Sequence, residues 1–185
     1  KEVEDLLRDL KRIVDEVEKR IRKLIEDNKR LADEVRERIE RLHKRNKDLA
    51  EEVLKRVREL KGDDKRIREL LKEVEDSSKE SVERIEELLR EVEESVKRSS
   101  REIERLLEEV ARLAEDVIRK AEERGKKEVV KRIKEELDRV REEVKKLIKR
   151  NEELLKKVAE DVRRLLEKDK KALEEIKRRV EDELR

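Results

Sequence analysis

Residues 21–38 read IRKLIEDNKRLADEVRER, and residues 39–56 read IERLHKRNKDLAEEVLKR. Laid one beneath the other, the two stretches repeat Ile, Leu, Leu, Ala and Val in place. One asparagine repeats with them, so that Asn28 becomes Asn46, while Ile25 becomes the only histidine, His43. The same frame runs backwards through Val3, Leu7, Leu10, Val14 and Val17, and forwards into Val57 and Leu60. Eighteen residues are five turns of an α-helix at 3.6 residues per turn. A stripe with this period therefore runs parallel to a straight helix axis. A seven-residue repeat would impose a left-handed supercoil and an 11-residue repeat a right-handed one; this period imposes neither.

The period extends along the chain. Ile67, Ile85, Ile103 and Ala121 form one column of the second segment, and Leu71, Leu89 and Leu107 another. Val130, Ile148, Leu166 and Leu184 do the same in the third. About seven apolar columns in eighteen make a face wide enough to meet two neighbours at once. Both glycines fall where a helix must stop, Gly62 in KGDDKR and Gly125 in ERGKKE. Each suits the left-handed position just after a helix C-terminus. Asp63 or Asp64 can then cap the second helix, whereas Lys126-Lys127 offers no cap for the third. The boundaries expected are 2–61, 64–123 and 127–184, each helix about 60 residues and on the order of 90 Å long. Two short loops make neighbouring helices antiparallel. The expected fold is all-α: a single-chain antiparallel three-helix bundle over 1–185.

Composition narrows the function. Charged residues make up 61% of the chain, only twelve residue types occur, and Pro, Cys, Met and all aromatics are missing. Regular apolar spacing argues for long helices over disorder. Without cysteine there is no thiol chemistry, and no apolar run reaches the roughly 18 residues of a membrane span. The chain begins at Lys1, which leaves room for an initiator or tag ahead of it. The net charge of +2 gives no footprint for nucleic acid or a membrane. It divides as +2 over residues 1–63, −5 over 64–125 and +5 over 126–185, which favours packing the middle helix between the others. The basic run Lys177-Arg178-Arg179 reads as a solvated face.

The strict repeat, the reduced alphabet and the two minimal glycine loops together resemble de novo designed, parametrically generated three-helix bundles with untwisted helices. That resemblance implies a recombinant, soluble scaffold with no natural activity, cofactor or partner.

The polar residues at core columns carry the remaining information. With the loops fixing the levels, Asn28 lies level with Ser99 and Asn151, and Asn46 with Ser81 and Asp169. The corresponding layer of the first repeat is apolar: Leu10, Val117 and Ile133. Ser95 and Ser100 flank one polar layer, and His43, Ser77 and Ser78 flank the other. Ala32, Ala50 and Ala172 occupy nearby core columns, where they make room for the amides. Buried polar groups need partners, so the expectation is two buried hydrogen-bonded layers. The resemblance then narrows to designed bundles with such networks in their cores. Their effect would be pairing specificity.

Ser81, His43 and Asp169 are also the types of a nucleophile, a base and an orienting acid. Helical side chains lean toward the N-terminus, which brings Asp169 to the level of His43. Ser81, on the antiparallel helix, leans away from both. Mid-helix amides are already bonded and cannot form an oxyanion hole. One His, one Asp and one Asn make a poor metal set. The expectation is therefore no catalytic, cofactor or metal site, and a monomer. The alternatives are a module that associates with another helical chain or switches, and a Ser-lined polar cavity that holds a small ligand. Leu54 and Ala111 lie outside the regular columns, but singly.

Overall fold

In the computed structural model, which describes residues 2–184, the chain forms α1 (Glu2–Glu59), α2 (Asp64–Glu123) and α3 (Lys127–Leu184). There are no strands among the described residues. The fold is an all-α, antiparallel three-helix bundle.

The turns follow the glycines. Gly125 has φ of 69°; its N–H donates to the Glu122 carbonyl at 3.0 Å, and the Lys126 N–H reaches back to Ala121 at 2.9 Å. This pair of bonds is the Schellman closure, which satisfies carbonyls that the ended helix leaves free. Gly62 has φ of 101°, and the Asp63 N–H donates to the Leu60 carbonyl at 2.9 Å. Helix α1 stops at Glu59, two residues short of the expected 61. Leu60 still bonds Arg56, but Leu60 and Lys61 already belong to the turn that Gly62 completes. Of the two candidate caps for α2, Asp63 is the one used: its Oδ1 accepts the Arg66 N–H at 3.2 Å. Helix α3 begins at Lys127, whose nearby residues supply no side-chain acceptor to its first amides.

Two compact units divide the chain, one from Lys1–Arg30 with Glu94–Leu154 and one from Leu31–Glu93 with Leu155–Arg185. Each takes a stretch of all three helices. The first packs Leu10, Val17 and Ile21 of α1 against Ile103, Val110 and Val117 of α2 and Ile133, Val140 and Val144 of α3. The second packs Val53 and Val57 against Ile67, Leu70 and Val74, and these against Ile176 and Val180. Burial keeps the 18-residue period. Val3, Ile21, Ile39 and Val57 share one column and are at most 2% exposed, and Ile67, Ile85, Ile103 and Ala121 are 0% exposed. The column of Val130, Ile148, Leu166 and Leu184 is only half-buried and marks the edge of the α3 face.

Across each unit, ion pairs sit outside the apolar seam. In the first unit Arg20 holds Glu102 at 2.9 Å and Arg139 holds Glu18 at 3.1 Å. In the second, Lys177 meets Glu75 at 3.4 Å and Arg36 meets Asp161 at 3.3 Å. The Arg20 and Lys177 pairs are largely solvated and contribute little, about 0–1 kcal/mol each. The Arg36 guanidinium, in contrast, is partly buried, with Nε and Nη2 lacking hydrogen-bond partners. Burial of the apolar columns holds the helices together.

Candidate functional site

The first polar set lies wholly within the first unit. Asn28 is 2% exposed and is bonded to both other helices. Its Nδ2 donates to Ser99 Oγ at 2.9 Å and to Asn151 Oδ1 at 3.0 Å, while its Oδ1 accepts from Ser95 Oγ at 2.6 Å. Ser99 in turn donates to the Ser95 carbonyl at 2.9 Å, the back-bond that mid-helix serines often make. One atom of the set, Asn151 Nδ2, has no partner although the residue is 0% exposed. Ser100 is half-buried and does not join the set.

Four residues meet in the second unit, but they form two pairs. Ser81 Oγ donates to Asn46 Oδ1 at 3.0 Å, and His43 Nδ1 and Asp169 Oδ1 share a hydrogen bond of 2.5 Å. Asn46 Nδ2 and Asp169 Oδ2 are both buried and unpartnered. Ser77 and Ser78 are half-buried and bonded to neither pair. Burial pushes the Asp169 carboxyl above the usual carboxylate range, and the neighbouring His43 and Asn46 only partly oppose it. The Asn46 amide thus lies close enough to favour the carboxylate, yet outside hydrogen-bond geometry with its free oxygen.

The residues of a nucleophile, base and acid are not joined in one hydrogen-bonded chain. His43 is bonded to Asp169, and Ser81 spends its hydroxyl proton on Asn46 rather than facing the imidazole. No group of three or more His, Cys, Asp or Glu residues capable of holding a metal occurs among the described residues. No helix there is long and apolar enough to cross a membrane.

The chain is similar to a solved structure described as a "Computationally designed three helix bundle". The likeness has a TM-score of 0.53 at 22% sequence identity and covers 98% of this chain and 85% of that one. It extends to the fold. No protein-family model and no curated protein matches the chain.

Repeat-equivalent positions expose what the sequence pattern passed over. Asn28 and Ala32 are 2% and 0% exposed, but Asn46 and Ala50, 18 residues on, are only half-buried. Val96 is 4% exposed, whereas its equivalent Ser78 is half-buried. Ala172, expected in a core column, is exposed. Its equivalents are Leu154, half-buried, and Glu136, exposed, so the column lies on the rim of the α3 face. The Glu at 136 was the available signal. A cavity of about 320 Å³ lies beside His43, Asn46 and Asp169 in the second unit.

Proposed function

We propose that this chain is a designed structural scaffold whose two buried polar sets specify which helix faces pair, and that it works as a monomer with no catalytic activity. Asn28 carries the reading. A single amide that bonds side chains of both other helices is satisfied in one register, since a slip along any helix would leave it unpaired in an apolar core. The strict 18-residue repeat, the twelve-letter alphabet and the likeness to a designed three-helix bundle support the designed origin. The separation of Ser81 from His43 supports the absence of hydrolytic chemistry. The large apolar side chains are drawn inward, Leu113 at 38% being the exposed exception, which supports a chain that needs no partner.

The test is to replace both polar sets by apolar residues that the repeat carries at the same columns. One set becomes Asn28→Leu, Ser99→Val and Asn151→Ile; the other becomes His43→Ile, Asn46→Leu, Ser81→Val and Asp169→Ile. Native mass spectrometry over a range of concentrations should show one monomeric mass for the parent chain and several assemblies for the all-apolar variant. A variant that stays one monomer with one set of NMR signals would remove the specificity role. A parent chain that dimerises would favour an interaction module.

A further inference from the structure

The cavity of about 320 Å³ in the second unit has a lining sorted by depth. Val74 of α2 and Ile176 of α3 are buried and form its floor, while Leu49, Ala50 and Leu173 are half-buried and form its walls. Lys47 of α1 and Lys168 and Ala172 of α3 are exposed, so the mouth opens between α1 and α3. A cavity of about 150 Å³ accepts one benzene ring; this one has room for a body about twice that size. An apolar floor with a few polar groups at its edge is the usual character of a small-molecule site.

The charged groups of the lining differ in what they offer a ligand. One Asp169 oxygen is bonded to His43 and the other is covered by protein atoms. The lysines that hold carboxylates among the described residues are Lys120, Lys145 and Lys177. Lys47 and Lys168 are not among them, and each ends a flexible stem that lets its ammonium follow a head group at the mouth. The first unit makes the contrast. An opening there beside Leu7, Leu10 and Ile133 also has an apolar wall, but its Arg139 already holds Glu18, Glu136 and Glu143. Unspent positive charge over an apolar floor is the property of the second unit.

We propose that this cavity binds a small amphiphilic anion: an apolar body of about two fused rings on the floor of Val74 and Ile176, and one carboxylate at the mouth between Lys47 and Lys168. The site goes beyond the scaffold reading and is independent of the Asn28 set, which lies in the other unit. Burial of the apolar body supplies most of the affinity. The two lysines supply the preference for an acid, because a cationic head meets like charges and a neutral head gains from neither.

The probes are 2-naphthoate, 2-naphthylmethanol and 2-naphthylmethylammonium, one body with three heads. Each is titrated into the full chain at neutral pH while the backbone amide signals of Ala50 and Leu173 are followed by NMR. Naphthoate should move them saturably, with a dissociation constant on the order of a millimolar for so small a ligand. The alcohol should bind at least about threefold more weakly and the ammonium more weakly still. In the double variant Lys47→Gln/Lys168→Gln, whose positions are exposed, naphthoate should fall to the affinity of the alcohol while the alcohol keeps its own. Ala50→Leu, which fills the wall, should abolish the response to all three; Ala172→Leu, which narrows the mouth, is the second blocking variant should the first not fold. Equal affinity for the three heads would reduce the site to an apolar hole. A preference for naphthoate that survives the double variant would take the lysines out of the site. The absence of any saturable shift would mean that nothing of this size enters, and unchanged binding in a folded blocking variant would place the probe elsewhere. Each of these four results overturns the proposal.

Discussion

Replacing Asn28 alone should cost stability, whereas replacing its whole set should not. In Asn28→Leu, Asn151 Oδ1 loses its one partner while Asn151 Nδ2 already has none, so a side chain 0% exposed is left wholly unpaired. A buried amide in that condition costs about 1–3 kcal/mol. The hydrogen bonds to Ser95 and Ser99 are lost as well, at about 1 kcal/mol each, although Ser99 keeps its bond to the Ser95 carbonyl. Burying a leucine returns about 1.5–3 kcal/mol. The terms leave a net loss of about 0–3.5 kcal/mol, centred on about 2 kcal/mol. Adding Ser99→Val and Asn151→Ile copies the layer Leu10, Val117 and Ile133, which already packs in the core of the same unit. Nothing fully buried is then stranded, and such whole-set replacements are neutral or stabilising by about 1–4 kcal/mol. Guanidinium titration followed by helical circular dichroism separates the two. At a slope of about 4 kcal/mol/M, the single variant should unfold about 0.5 M earlier than the parent chain and the triple variant no earlier. A triple variant less stable than Asn28→Leu would show that the set is not a removable network.

Other predictions follow from the second unit and from the turns. Burial raises the Asp169 carboxyl, so the folded chain holds that proton more tightly than the unfolded one. This favours folding below the ordinary carboxylate range and is lost as pH rises through the raised value, so Asp169→Asn should gain stability relative to the parent as pH rises from the ordinary carboxylate range. Denaturant midpoints for the pair from acid to neutral pH check it, and a relative gain toward acid would contradict it. Ser81→Ala should leave turnover of an activated ester unchanged, because Ser81 is bonded to Asn46 and not to His43; a clear loss would revive a catalytic serine. Gly62→Ala should destabilise by about 1–2 kcal/mol, read by the same titration, since φ is 101° and a new methyl would meet nothing within 4 Å. An unchanged midpoint would show that the turn relaxes to another conformation.

The fold was legible because one period governs the apolar residues and two glycines interrupt it. An 18-residue stripe has one straight solution, and the burial of Ile21, Ile39, Ile67, Ile85 and Ile103 follows it. The meeting of Asn28 with Ser99 and Asn151 was equally legible, since the loops fix which levels coincide. Less legible was the difference between the two polar sets. Column membership says where a Cα lies, not how completely its neighbours cover it. Ala172 shares a helix face with core residues yet lies exposed beside the opening left by small residues. The pairing of Asn46 with Ser81 and of His43 with Asp169, leaving one donor and one acceptor free, depends on side-chain directions that spacing does not encode.

Side-chain amide hydrogen exchange tests the central claim most directly, because the two asparagines that the repeat makes equivalent are bonded differently. Asn28 Nδ2 donates to both Ser99 and Asn151, whereas Asn46 Nδ2 donates to no group of the chain. The Asn28 amide protons should exchange at least about tenfold more slowly than those of Asn46, because exchange requires a bonded, buried group to open. Equal or faster exchange at Asn28 would contradict a closed hydrogen-bonded set that joins the three helices.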